Sequence, residues 1–136
     1  MNRDNIDGFV VRHLAVQELE ELDSFVVGLS DSKDGSGDAL IFATGLTFDE
    51  QDRSLGQDTY SISTASGATA YDGVIRCVLD DNVLTLDLDP KTASTLGVSQ
   101  TCQFPLEIGP SSIARLKEGL RQVLMSGSST PKDLRL

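Results

Sequence analysis

Hydrophobic side chains alternate with polar ones through much of the first half of the chain, and this pattern predicts β-strands. Phe25, Val27 and Leu29 occupy every second position, so they should share one face of a strand. Residues 9–19 form another candidate strand, whose apolar parity changes near Arg12 as it would at a β-bulge. We expect these two strands to pair as a hairpin.

Further strands are predicted toward the middle of the chain. The short apolar run over residues 39–43 favours a buried strand, and Tyr60 and Ile62 alternate with hydroxyl residues as in a half-buried one. Residues 44–57 follow neither a strand nor a helix period, so we expect an ordered connection there with at most one helical turn. The small residues at 64–69 are typical of a loop.

The clearest hairpin signal comes next. Residues 74–79 and 83–88 are both strand-like, and the leucines of the second segment occupy every second position. The polar residues 80–82 between them favour a tight turn. A further strand is expected around residues 101–106.

Two helices are predicted from their ends and their spacing. A short helix over residues 90–96 is indicated by Asp89 as N-terminal cap, a proline at the first helical position and Gly97 as the stop. Apolar residues recur at helical spacing over residues 113–124, which predicts the main helix. Gly119 lies inside that helix, where it costs about 1 kcal/mol against alanine, so close packing should be its reason.

These elements together predict an α+β fold. We expect a mainly antiparallel β-sheet of about six to eight strands, one long C-terminal helix packed on it and one short helix. A length of 136 residues fits one domain with a real core. We assign that domain to residues 1–125 and expect residues 126–136 to form a flexible C-terminal tail.

Charge narrows the classes of partner. The chain has 21 acidic and 11 basic residues and a net charge of −10, which disfavours binding to nucleic acid or to anionic membranes. An aromatic content of 5% without tryptophan also argues against stacking on bases. A basic protein partner is the natural complement, although net negative charge by itself also keeps proteins soluble.

Location and redox state follow from two further observations. No apolar run of signal-peptide length follows Met1, and no stretch of 18 apolar residues could span a bilayer, so we expect a cytoplasmic protein. Cys77 and Cys102 lie in apolar, strand-like surroundings. We interpret them as reduced core residues, with a disulfide or a metal site as the minor alternative.

No catalytic or cofactor signature emerges. His13 is the single histidine and has no nucleophile motif to accompany it, and there is no phosphate-binding glycine loop. The acidic segment 31–38 resembles a calcium loop, but Lys33 and Gly35 occupy positions that need ligands. We therefore predict no enzymatic activity, no cofactor and no tightly held metal, while a weak cation site among the acids near residue 50 remains the alternative.

Four segments, taken in order and spacing, resemble the immunity protein 10 family, small antidotes that protect bacteria from their own polymorphic toxins. The segments are Phe48-Asp49-Glu50-Gln51-Asp52, Leu55-Gly56-Gln57-Asp58-Thr59-Tyr60, Tyr71-Asp72-Gly73-Val74 and Leu84-Thr85-Leu86-Asp87-Leu88. The resemblance runs from about residue 25 to residue 124. It implies an α+β fold, no enzymatic activity and a cognate protein toxin domain as the partner.

A partner-binding site can be proposed on these segments. Acids would attract a basic toxin and speed association, and tyrosines would act as anchors, because tyrosine is enriched among residues that dominate binding energy. The candidate residues are Asp49, Glu50, Asp52, Asp58, Tyr60, Tyr71 and Asp72. Two alternatives stay open, namely Tyr60 as a core residue and the acids as a solvated loop. A protein of another class, a homodimeric or larger structural or regulatory subunit that pairs through a free sheet edge, would also fit.

Overall fold

A computed structural model describes residues 8–19, 24–32, 37–45, 60–125 and 131–136. Within these ranges the chain forms nine strands and two helices. The strands are β1 His13–Leu19, β2 Ser24–Ser30, β3 Ala39–Gly45, β4 Ser61–Thr64, β5 Thr69–Tyr71, β6 Val74–Asp80, β7 Val83–Leu88, β8 Thr101–Pro105 and β9 Asp133–Arg135, and the helices are α1 Pro90–Leu96 and α2 Pro110–Leu124. Most strand pairs are antiparallel, which confirms the α+β prediction.

The strands are divided between two sheets, whereas the sequence pattern predicted one. The first is a five-stranded antiparallel meander in the order β1-β2-β3-β4-β5, and the second has the order β8-β7-β6-β9. Alternation along a strand identifies which face is buried but not which sheet the strand joins, so this division could not be predicted. The strand β5 was also missed, because it has only three residues and the first of them, Thr69, belongs to the small-residue segment that predicts a loop.

The predicted hairpin of the first two strands is confirmed. Val16 of β1 pairs with Val27 of β2, and Phe25, Val27 and Leu29 are all buried on one face. The amide of Arg12 donates to the carbonyl of Ser30 (2.9 Å), which is also the pairing partner of His13. Two consecutive residues thus oppose one, as in the predicted β-bulge. Before this point the chain bridges to the other sheet, where Val11 pairs with Leu106.

The second sheet is built on the predicted hairpin of β6 and β7. Its turn places Asp81 and Asn82 at φ +53° and +59°, the two left-handed positions that a tight hairpin turn needs. The leucines of β7 point inward and are at most 5% exposed. The strand expected around residues 101–106 is present as β8, and it pairs with β7 at the edge of this sheet.

The end of the chain differs from the predicted loose tail. Asp133–Arg135 forms β9, which pairs in parallel with β6. The Nε atom of Arg76 lies 3.2 Å from Oδ2 of Asp133, and Arg121 of α2 donates to the carbonyl of Leu136 (3.2 Å). The pattern in so short a segment cannot reveal a strand whose partner lies 57 residues earlier in the chain.

Both helices begin and end near the predicted residues. Asp89 caps α1 by accepting from the amides of Lys91 and Thr92, and Gly97 ends it at φ +71°. The longer α2 packs on β1, β2 and β3. At Gly119 an added Cβ would lie 2.8 Å from Cγ2 of Val27, so the glycine allows the helix to approach the sheet closely, as predicted.

Candidate partner-binding site

Tyr60 lies inside the protein. Its side chain is fully buried, and its hydroxyl oxygen accepts a hydrogen bond from the amide of Val74 (2.9 Å). The hydroxyl also lies 3.4 Å from Oδ1 of Asp72, to which it donates. Burial raises the pKa of the Tyr60 hydroxyl above its ordinary value, and the hydrogen bond from Val74 only partly opposes this effect. The alternative that Tyr60 is a core residue is therefore the one the structure supports.

Asp72 occupies a tight corner between β5 and β6. It has φ +68°, a left-handed conformation that aspartate tolerates better than most residues. Its amide donates to the carbonyl of Tyr60 (3.0 Å), and its Oδ1 accepts from the amide of Gly73 (2.6 Å). The carboxylate is half-buried and already used within the protein. These hydrogen bonds stabilise the corner that joins the two sheets.

Gly73 explains why the corner is so compact. It has φ +105°, and an added Cβ would collide with the side chain of Thr92 in α1. Its carbonyl accepts from the amide of Asp89, the cap of that helix (2.9 Å). The segment Tyr71-Asp72-Gly73-Val74, which carries part of the family resemblance, is thus mostly a structural joint between β5, β6 and α1.

Tyr71 is different, because it is 60% exposed. It stands opposite Ser61 of β4 on the face of the five-stranded sheet that points away from the core. Asp49, Glu50, Asp52 and Asp58 lie outside the described residues. The structure therefore separates the two tyrosines, with Tyr60 in the core and Tyr71 at the surface, and these four acids stay untested.

The groups that could support chemistry are placed apart from one another. His13 is exposed on the edge strand β1, while Cys77 and Cys102 are buried and form no disulfide with each other. Burial raises the pKa of the Cys77 thiol from 9.0 to about 12, so it stays protonated at neutral pH and is a poor nucleophile. Among the described residues, no three histidine, cysteine or acidic side chains are grouped to hold a metal. Neither described helix is long and apolar enough to cross a membrane.

Sequence reasoning missed Ile41, a second exposed large apolar side chain on the face that carries Tyr71. It is 37% exposed in the central strand β3, between Gly28 of β2 and Ser63 of β4. The sequence contains a signal for an exposed apolar face, because the outward positions of these strands are small or apolar residues, where charged residues are usual. The apolar run over residues 39–43 predicts a buried strand, and that prediction does not indicate which of its side chains reaches the surface.

Comparison with known proteins adds the family. The immunity protein 10 family matches residues 10–114 of the chain. This range includes every strand except β9, together with α1 and the first turn of α2. No curated protein and no solved structure matches it. The matched range covers more than half of the chain and contains the segments on which the resemblance rested. This chain belongs to the immunity protein 10 family.

Proposed function

We propose that this protein is a non-enzymatic antidote that binds a cognate polymorphic toxin domain and blocks its action. The observation that carries the proposal is the family match over residues 10–114. The buried, protonated Cys77 and the isolated His13 are consistent with it, because neither is arranged to act as a nucleophile or a base. A cytoplasmic location, where a producing cell would need protection, is part of the same proposal.

The proposal includes a role for the acids of the segment 49–58. With 21 acids against 11 bases, the chain would attract a basic toxin from a distance, and such attraction raises association rates above about 10⁵–10⁶ M⁻¹s⁻¹. Gly45 and Tyr60 are the described residues on either side of this segment. Ser61, which follows Tyr60, pairs with the exposed Tyr71 on one side and with Ala43, two residues before Gly45, on the other. Tyr71 therefore lies near both of the residues that flank the acidic segment.

The alternative, a homo-oligomeric subunit that pairs through a sheet edge, has less support. The longest edge strand of the first sheet is β1, and its Val16 carbonyl already accepts a hydrogen bond from Arg115 of α2 (3.3 Å). A side chain that occupies an edge carbonyl interrupts the row of groups that a second strand would need.

The experiment first asks whether a large secreted protein with a variable C-terminal domain is encoded next to this gene, and it then uses that C-terminal domain as the toxin. Co-expression should rescue cells from that domain, and purified protein should abolish its activity at a 1:1 ratio. Complete inhibition at a small fraction of one equivalent would instead indicate an enzyme that modifies the toxin. Absence of a toxin gene nearby, or of binding and protection, would reject the proposed function.

The acidic segment is tested separately, with Asp49→Asn, Glu50→Gln and Asp52→Asn combined. Exposed charges contribute little to stability, so the melting temperature should stay the same. The association rate should fall and its salt dependence should weaken, while dissociation changes less. A wild-type association rate at low salt would show that these acids are only solvated.

A further inference from the structure

The outward face of the five-stranded sheet carries no acidic residue, lysine or arginine at any position that the structure describes. We call it the outer face; it consists of the positions of β1 to β5 that alternate with the core residues. Its central row, read across the strands, is Ala15, Gly28, Ile41, Ser63 and Thr69. Charged residues make up 24% of the chain, and exposed sheet positions are where they normally lie. An uncharged sheet face is therefore unusual for so acidic a protein.

The side chains of the outer face suit contact with another protein better than contact with water. Ile41 and Tyr71 are two of the four large apolar side chains that are exposed among the described residues. The hydroxyl groups of Ser63 and Thr69 lie 3.0 Å apart and hydrogen-bond to each other, which reduces their need for water. Gly28 pairs with Ile41 and has no side chain, so a partner side chain could approach the backbone at this position.

Among the residues that the structure describes, acidic side chains predominate at the border of the outer face. Asp31 follows β2 and Asp38 precedes β3 at one end of the sheet, where the amide of Asp31 donates to the carbonyl of Asp38 (3.1 Å). Asp72 follows β5 at the other end. Arg12 is the basic residue next to β1, and it is paired with Glu107 (3.4 Å). The complementary surface is thus flat and uncharged in the middle, with basic residues around it.

We infer that the outer face is the surface on which the toxin domain docks, with Ile41 and Tyr71 as its apolar contacts. This inference rests on the proposed function and identifies the surface that would bind the toxin. Strands about 4.8 Å apart and up to seven residues long give the face roughly 450 Å², which is about half of the ~800 Å² that one partner contributes to a standard interface. The acidic surroundings would supply much of the remainder.

A second copy of this chain is a poorer occupant. Two outer faces would bury only about 900 Å² together, which is below the ~1,200 Å² of stable interfaces. Their acidic borders would also be brought together, in a chain whose net charge is −10. A toxin with basic residues at its border would attract the acidic border rather than repel it, and contact between the two borders would add to the buried area.

The test compares Ile41→Lys with Ile75→Lys. These isoleucines are 37% and 38% exposed, both lie in strands, and Ile75 belongs to β6 of the other sheet, so the pair is matched in residue type and burial. A lysine in the centre of the interface would bury an unpaired charge. We expect Ile41→Lys to weaken binding of the upstream-encoded toxin domain by about 30-fold or more, and Ile75→Lys by less than about threefold.

Kinetics give a second readout. Because the outer face is uncharged, Ile41→Lys should act mainly by raising the dissociation rate. Tyr71→Ala should behave in the same way. Its matched control is Met125→Ala, since the two side chains are 60% and 56% exposed and only Tyr71 lies on the outer face. Thermal melts would confirm that all four variants remain folded. If Ile41→Lys does not fold, the comparison of Tyr71→Ala with Met125→Ala still tests the inference.

The outcomes separate the two ideas. If the wild-type protein fails to bind the toxin domain, the proposed function is wrong. If the wild type binds and both outer-face variants bind as well as their controls, the function stands and the docking surface lies elsewhere. If light scattering shows a wild-type dimer that Ile41→Lys converts to a monomer, the outer face is a self-association surface and the inference is overturned.

Discussion

Replacement of Gly119 by alanine should test how closely α2 packs on the five-stranded sheet. In an exposed helix interior the change would stabilise the protein by about 1 kcal/mol. Here the new Cβ would lie 2.8 Å from Cγ2 of Val27 and 3.5 Å from Cγ1 of Val16. Val27 is fully buried and β-branched, so it cannot easily turn away.

The two effects oppose each other, and the steric one should be larger. Overpacking a core costs about 1–3 kcal/mol, so the net result for Gly119→Ala is a loss of about 1 kcal/mol. In a chain of this length that corresponds to a fall in melting temperature of about 3–5 °C. Chemical denaturation with a two-state fit would give the free energy directly, and Glu118→Ala on the exposed side of the same helix should change it by less than about 0.5 kcal/mol.

A double-mutant cycle makes this reasoning refutable. Val27→Ala alone should cost about 2 kcal/mol because it leaves a cavity. In that background the methyl group of residue 119 has space, so Gly119→Ala should become stabilising by about 1 kcal/mol, which gives a coupling energy of about 2 kcal/mol. Stabilisation by Gly119→Ala in the wild-type protein, with no coupling to Val27, would show that the helix does not approach the sheet this closely.

Three further predictions follow from the core. Tyr60→Phe should lower the free energy of unfolding by about 1–3 kcal/mol, because it leaves the buried Val74 amide unpaired, and Tyr71→Phe should leave the same denaturation midpoint nearly unchanged. Leu116→Asp should abolish the cooperative melt, since the side chain is fully buried, whereas Ala114→Asp on the exposed side of α2 should preserve it. Burial raises the pKa of the Cys77 thiol from 9.0 to about 12, so the unfolded state loses this proton first as the pH rises. The free energy of unfolding should therefore decline between these two pH values, by about 4 kcal/mol at most. Urea titrations should show a shallower decline for Cys77→Ala.

Local signals explain what the sequence could predict of the fold. The ends of α1 depend on Asp89 and Gly97, which act within one turn, and the β6–β7 hairpin depends on a turn of three polar residues. Both were predicted for that reason. The division into two sheets and the pairing of β9 with β6 depend on contacts between distant residues, which no local pattern contains.

The candidate site was predictable only in part, for a related reason. Tyr60 and Tyr71 both lie in short segments rich in serine, threonine and alanine, and composition alone cannot decide which tyrosine points inward. Tyr60 precedes a strand whose Ile62 faces the core, while Tyr71 shares a face with Ser61. The uncharged outer face becomes visible only when the register places five strands side by side.

The contrast between the two tyrosines gives the protein a pair of built-in optical reporters. The chain has two tyrosines and no tryptophan, so its near-ultraviolet absorption and emission come mainly from one ring in the core and one on the surface. Acrylamide should quench the surface ring in the native state and reach the inner ring only on denaturation. With Tyr71→Phe the remaining signal would report folding alone, and the difference from the wild type would report what happens at the sheet surface when a ligand arrives.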